Sequence, residues 1–194
     1  GNVFRRSGGT GKISHDGHEW QQTVYDKAYS TPDWAKGGIM YQIFPDRFNI
    51  GSNPPADYPE DRVVHSSTDE APLWKPDAKG KILNNDYFGG TLKGIEEKLS
   101  YIASLGVTMI YLNPIFEAHS NHRYNTADYS KIDPMLGTEE DFKSLCKSAH
   151  KLGIKIILDG VFSHTGSNSI YFDIKNIFGN GAVSNPDSPY REWY

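Results

Sequence analysis

The chain has 194 residues, 37% of them hydrophobic, with a formal net charge of −4. Its Lys and Arg residues are scattered, with no basic run or base-stacking motif, which argues against a nucleic-acid partner. No run of about 18 or more apolar residues occurs, so no membrane span is expected.

The sequence does not open with a charged segment followed by an apolar run, so no signal peptide is visible. Localisation stays open between extracellular and cytoplasmic, as does oligomeric state. The single cysteine, Cys146, excludes an internal disulfide and reads as a small buried hydrophobe on a helix.

In chain order, Gly8-Gly9-Thr10-Gly11 reads as a flexible turn and Gln21 to Tyr25 as a strand. The first fifteen or so residues are expected to be disordered or paired at an edge. Gly38 to Phe44 reads as a short buried strand. The connection from Asn49 to Phe88 holds five prolines and many acidic residues, and reads as an irregular surface loop pinned by Trp74.

A helix is expected over Leu92–Leu105, with Thr91 as N-cap and Ile95, Leu99, Ile102 and Leu105 as its apolar stripe. Gly106 stops it, and Gly106 to Leu112 reads as a second strand. A second helix, Glu139–Leu152, is capped by Thr138 and acidic in its first turn, with Phe142, Leu145, Cys146, Ala149 and Leu152 inward. Gly153 precedes a third strand, Ile154 to Leu158.

Strand, helix, strand, helix, strand requires parallel pairing, because each helix returns the chain to begin the next strand in the same direction. The fold class is α/β. Asp159-Gly160-Val161-Phe162-Ser163-His164 then places a carboxylate and an imidazole at the carboxyl end of a strand, where α/β barrels keep their chemistry.

Four blocks in order carry a specific resemblance: Gly38 to Phe48, Tyr87 to Ile95, His122-Arg123-Tyr124-Asn125-Thr126-Ala127-Asp128-Tyr129, and Asp159 to His164. Together they resemble the α-amylase superfamily of glycoside hydrolases, in its neopullulanase, cyclomaltodextrinase and amylopullulanase branch. The resemblance runs from about Trp34 to Tyr194.

It implies the first three β/α units of a (β/α)8 TIM barrel, followed by the start of a domain inserted after the third strand. The implied organisation is residues 1–35 as the tail of an upstream β-domain and linker, 36–166 as the first part of the catalytic barrel, and 167–194 as the truncated start of the inserted domain. The implied activity is hydrolysis or transfer of α-linked glucose with retention, on starch-like glucans.

Retaining glycosidases need two carboxyl groups about 5 Å apart. The family draws its nucleophile from an Arg-x-Asp segment, its acid/base from a Glu, and a further Asp from a His-Asp pair, all on later strands. None of these segments occurs here. No catalytic residue is therefore expected in this chain, which alone should be inactive; a noncatalytic glucan-binding or interaction protein derived from the same barrel is the alternative.

By carry-over, Tyr124 resembles the tyrosine that stacks on the cleaved sugar, and His164 the histidine that bonds that sugar's primary hydroxyl. Asp159 resembles the strand-end aspartate that orients the catalytic groups from below, and it also suits a turn cap. Asn125 stands where the family usually has Asp and is a supporting residue. Asn113 and Asp128 read as ordinary turn residues.

The branch often has a calcium site after the first strand. Here the Asn49–Asp57 loop has lost most acidic ligands, Thr91 replaces an Asp, and Ser163 stands where another calcium position uses Asn. No metal ligand and no cofactor are expected, with calcium the only ion to consider. The aromatic cluster Tyr190, Trp193 and Tyr194 reads as core more than as a sugar contact.

Overall fold

The computed structural model describes residues 3–7, 10–15, 23–55 and 57–194. The chain falls into two compact units, Gly1–Lys36 and Gly37–Tyr194.

In the first unit, β1 (Val3–Ser7) pairs antiparallel with β2 (Thr10–Ser14), with Val3 opposite Ser14 and Ser7 opposite Thr10. The two strands form a sheet of their own, so the outcome is local pairing between them. Thr10 and Gly11, expected in a turn, lie in β2, whereas Gly8 and Gly9 lie outside the described residues. The expected strand at Gln21–Tyr25 is corrected in part: Thr23 to Tyr25 are irregular, and Gln21 and Gln22 are not among the described residues.

The second unit is organised by three parallel strands, β3 (Met40–Ile43), a later β6 (Met109–Leu112) and β9 (Lys155–Leu158), in the order β3-β6-β9. Register aligns Ile43, Leu112 and Leu158, and one step earlier Gln42, Tyr111 and Ile157. Because side chains alternate across a strand, these two rows face opposite ways. Tyr41, Ile43, Ile110, Leu112 and Ile156 join the core with the helices, so Gln42, Tyr111 and Ile157 look out of the other face.

Between β3 and β6 the long connection is less irregular than expected. β4 (Val63–Val64) pairs in parallel with β5 (Asp86–Tyr87) and closes its base. Trp74 does not pin the loop: it is 67% exposed, with the Lys75 ammonium 5.3 Å from its ring.

The single helix expected over Leu92–Leu105 is two, α1 (Leu92–Glu97) and α2 (Leu99–Ser104), interrupted at Lys98, whose φ/ψ of −96°/3° is not helical. Thr91 caps α1 by accepting the Gly94 N–H at 2.9 Å and donates its hydroxyl to Ile50 O at 2.7 Å. Gly94 is required by packing: a Cβ there would lie 1.9 Å from Asn49 O.

β7 (Phe116–Ala118) and β8 (Thr126–Ile132) form an antiparallel pair after β6. α3 (Glu139–Lys151) follows with a full capping box between Thr138 and Asp141. α3 docks on α1, where Ser144 and Ser148 both donate to Glu96 Oε1, at 2.8 and 2.7 Å.

Leu92, Ile95, Leu99, Ile102, Leu145 and Ala149 are buried as the periodicity requires. Leu105 and Leu152, at the last turn of each helix, are exposed, and Phe142 and Cys146 are half-buried. Both stop signals hold, with Gly106 and Gly153 in the left-handed region at φ 77° and 76°, where a Cβ is disfavoured.

Candidate active site

The carboxyl ends of the three parallel strands meet in one hydrogen-bonded chain. Gln42 on β3 donates Nε2 to Asn113 Oδ1 at 2.8 Å, and Asn113 Nδ2 reaches Tyr124 Oη at 3.4 Å. Tyr124 donates its hydroxyl to Asp159 Oδ2 at 2.8 Å. Asn113 and Asp159 sit here because their backbone N–H groups continue the ladder beyond the strands, to Ile43 O and Leu112 O at 2.9 and 3.0 Å.

Burial, with the hydrogen bond to the Asp159 carboxylate, pushes the Tyr124 hydroxyl up to about 12. Tyr111, looking out of the same face of the sheet, is raised by burial and by Asp159. Tyr124 therefore stays a neutral donor to a carboxylate across the physiological range.

Tyr124 is held from behind by Arg123, which takes an unusual left-handed φ of 61°. Arg123 is fixed there because its guanidinium is buried, with Nε 2.7 Å from Asp133 Oδ2 and Nη1 donating to Asn121 O at 2.9 Å. A strained bulky residue persists only where surroundings over-determine it. The strain here sits next to the tyrosine at the strand ends.

His122 supports the same turn: its Nδ1 accepts the Tyr124 N–H at 3.0 Å, which requires that nitrogen to be unprotonated. Its pKa is lowered by burial and by the Arg123 charge, in keeping with a neutral ring.

Asn125 lies elsewhere. Its Oδ1 accepts from the Ser120 hydroxyl and N–H, closing the Ser120–Asn125 turn, and it makes no bond to Asp159. Asp128, expected in a turn, lies instead in β8, buried, with its Oδ1 accepting the Ser130 N–H at 2.8 Å.

His164 is exposed and outside the Gln42-Asn113-Tyr124-Asp159 chain, with Nδ1 3.1 Å from Ser163 Oγ. It lines a cavity of about 750 Å³ whose walls include Tyr129, Phe162, Tyr171, Trp193 and Tyr194. The C-terminal aromatics pack on one another, with Trp193 stacked on Tyr171 at 5.5 Å. They are not fully interred: Trp193 and Tyr194 remain exposed.

The sequence blocks meet physically. Asp46 is buried and accepts the N–H groups of Phe88 and Gly89, locking the end of β3 to the block that opens α1. Burial raises its pKa despite those bonds and the nearby Arg123 and Arg47 charges. Arg47, His65 and the Leu73 N–H all converge on Asp86 Oδ2, at 3.4, 3.1 and 3.0 Å.

The loop after β3 is bonded to the start of α1. Asn49 O accepts the Thr91 N–H, Ile50 O accepts the Thr91 hydroxyl, and Asn49 Nδ2 donates to Gly94 O. Among the described residues no three His, Cys, Asp or Glu side chains gather as a metal site.

Residues 42–194 match the family model for the alpha amylase catalytic domain. The chain belongs to the alpha-amylase catalytic-domain family. Within it, the chain is 45% identical to an amylopullulanase from Thermoanaerobacter thermohydrosulfuricus, the match covering 96% of this chain and 14% of that protein. It is 41% identical to a cyclomaltodextrinase from Geobacillus thermopakistaniensis, over 86% of this chain and 25% of the other.

Among solved structures, the type III pullulan hydrolase from Thermococcus kodakarensis superposes with a TM-score of 0.66 at 35% identity, covering 83% of this chain and 28% of that one. These alpha-amylase relatives are glycosidases, and the chain spans about a seventh to a quarter of the length of the two curated ones. Among the described residues no helix is long and apolar enough to cross a membrane.

Two contributors to the strand-end chain, Gln42 and His122, were not singled out by sequence reasoning, although both lie inside the quoted blocks. Asn113, read as a turn residue, joins them. Their only sequence signal was position, at or just beyond a strand end.

Proposed function

We propose that these residues are the sugar-binding part of a retaining glycosidase that acts on α-glucosidic bonds of starch-like glucans such as pullulan and maltodextrins. The observation that carries the reading is Tyr124, held at the carboxyl ends of three parallel strands by Asp159 and Asn113. Fixed in this way, its ring offers an apolar face to a glucose ring, while its hydroxyl is already satisfied.

In this reading β3, β6 and β9 are the first three strands of a (β/α)8 barrel, and 167–194 opens the inserted domain. Tyr124 and His164 contact substrate: the ring of Tyr124 orients the sugar, and the imidazole of His164 exchanges a hydrogen bond with its primary hydroxyl. Asp159 holds Tyr124 in place and presents a negative charge below the sugar, and Asn125 closes the turn that carries Tyr124.

Retention requires a nucleophile and an acid/base about 5 Å apart. We assign both to strands outside these 194 residues, so that the chain alone does not turn over substrate. No metal step is involved in the reading.

The test is kinetic, on the full-length polypeptide that contains these residues. Tyr124→Ala should lower kcat on a maltooligosaccharide by about a hundredfold, the order lost when a reacting sugar is misplaced. Unchanged kinetics would remove Tyr124 from the site. Maltose release from starch by the 194-residue chain alone would show that the carboxylates have been assigned to the wrong place.

A further inference from the structure

β8 carries, besides the turn that aims Tyr124, a second tyrosine whose hydroxyl is directed at the loop bearing His164. Tyr129 Oη lies within hydrogen-bonding reach of two carbonyl oxygens, those of Val161 and His164, the latter at 3.0 Å. Its single proton is shared between carbonyls at the two ends of the Val161-Phe162-Ser163-His164 turn.

The tyrosine is itself fixed. Its backbone N–H donates to Tyr171 Oη at 3.0 Å, and its ring lies 5.7 to 5.8 Å from those of Phe116, Phe162 and Tyr171. The loop is laced to the same strand twice more, by Gly166 N–H to Thr126 O at 2.8 Å and Ile170 N–H to Ala127 O at 3.0 Å. A Cβ on Gly166 would lie 2.5 Å from Asn125 O, so the two backbones approach as closely as glycine allows.

By contrast, the turn has few anchors of its own. Phe162 is 83% exposed, and among the described residues the one hydrogen-bond partner of the His164 ring is the Ser163 hydroxyl. Where this imidazole points is therefore set by the backbone, and the side-chain hydroxyl that grips that backbone on both sides of the turn is Tyr129.

We propose that Tyr129 is a positioning residue for the sugar site: its hydroxyl holds the 161–164 turn so that His164 meets the primary hydroxyl of the sugar stacked on Tyr124. The inference rests on the role given to His164 above. It makes β8 the element that sets the distance between stacking group and hydroxyl-binding group.

The experiment compares Tyr129→Phe, His164→Ala and the double variant in the full-length polypeptide, with α-glucosyl fluoride and with α-xylosyl fluoride, which lacks the hydroxymethyl group. Tyr129→Phe keeps the ring and its packing, and its melting temperature is recorded alongside. The expected result is a loss of about tenfold in kcat/KM for the glucosyl substrate, the size of one hydrogen bond. Little loss is expected for the xylosyl substrate, and no further loss when His164 is already alanine.

Equal losses on both substrates, or losses that add to those of His164→Ala, would overturn the proposal in favour of a purely structural tyrosine. The His164 imidazole resonances of the 194-residue chain separate failure of the inference from failure of the reading beneath it. Resonances that Tyr129→Phe leaves unmoved refute the positioning itself. Resonances that shift, with His164→Ala losing activity equally on the two fluorides, refute instead the role of His164 in binding sugar, and the proposal with it.

Discussion

Replacing Arg123 tests whether the buried pair behind Tyr124 holds the site. The Arg123 and Asp133 side chains are 1% and 3% exposed and meet at 2.7 Å. Arg123→Met keeps the apolar volume but leaves the Asp133 carboxylate buried with a single remaining side-chain bond, from the Met135 N–H at 2.9 Å.

Removing one partner of a buried ion pair costs about 3–5 kcal/mol. For a unit of this size each kcal/mol shifts the midpoint by roughly 2–4 °C, so a drop of about 6–20 °C is expected by circular dichroism. Adding Asp133→Asn should recover a large part of the loss, since the uncompensated charge goes with it. A second comparison isolates the backbone: Arg123→Gly should be about 1 kcal/mol more stable than Arg123→Ala, because glycine relieves the positive φ. A Met variant within about 1 kcal/mol of the parent in urea would refute the buried pair, and alanine as stable as glycine would refute the strain.

Other outcomes follow from single contacts. Gly94→Ala, helpful in an ordinary helix, should instead cost about 1–3 kcal/mol as an overpacked contact, because the new methyl meets Asn49 O; urea denaturation gives the sign. Thr91→Ala should cost about 0.5–2 kcal/mol as a lost N-cap, and hydrogen exchange should show the first turn of α1 opening.

The clip at the base of the 49–88 loop should be pH-dependent. Burial works against a charged His65, but its hydrogen bonds to the Glu70 and Asp86 carboxylates outweigh it and raise its pKa. Its contribution is therefore full below its ordinary value, about 6.5, and is lost as pH rises through the folded value. Glu70 is pushed down to about 2 by bonds from Ser66 and His65, so its contribution is present above 4.5 and lost as pH falls towards 2. Amide protection at Ser66 and Ser67, which both donate to Glu70, should peak between those limits and fall on either side. A flat profile, or His65→Gln with no effect at pH 6, would remove the clip.

Much of this was legible locally. Thr91, Thr138, Gly106 and Gly153 end their helices for reasons contained in a few neighbouring residues, and the short runs at 109–112 and 155–158 are strands, the first largely buried and the second with Lys155 and Leu158 exposed. The strand-end chain was less so. Gln42 and Asn113 are separated by 71 positions, and no periodicity in either segment announces their bond. Parallel register brings them together, and register belongs to the assembled sheet.

The helix break at Lys98 escaped for the opposite reason. The apolar spacing of Ile95, Leu99 and Ile102 continues through it unchanged. The exposure of Leu105 and Leu152 reflects where each helix ends rather than which face they occupy.

The two-rung pairing of β4 with β5 has a consequence for how such a chain can diversify. The stretch between Leu73 and Asn84 leaves and re-enters the body beside that pairing, anchored by the Leu73 N–H on Asp86 and by Asn84 O on the Asn121 N–H, so its length is nearly uncoupled from what lies beneath. Doubling such an excursion costs only about 0.6 kcal/mol in closure entropy. Insertions and deletions there can remodel the outer surface of the molecule while Asp46, Asp86 and the strand ends keep their places, leaving this segment free to vary while the floor of the site stays constant.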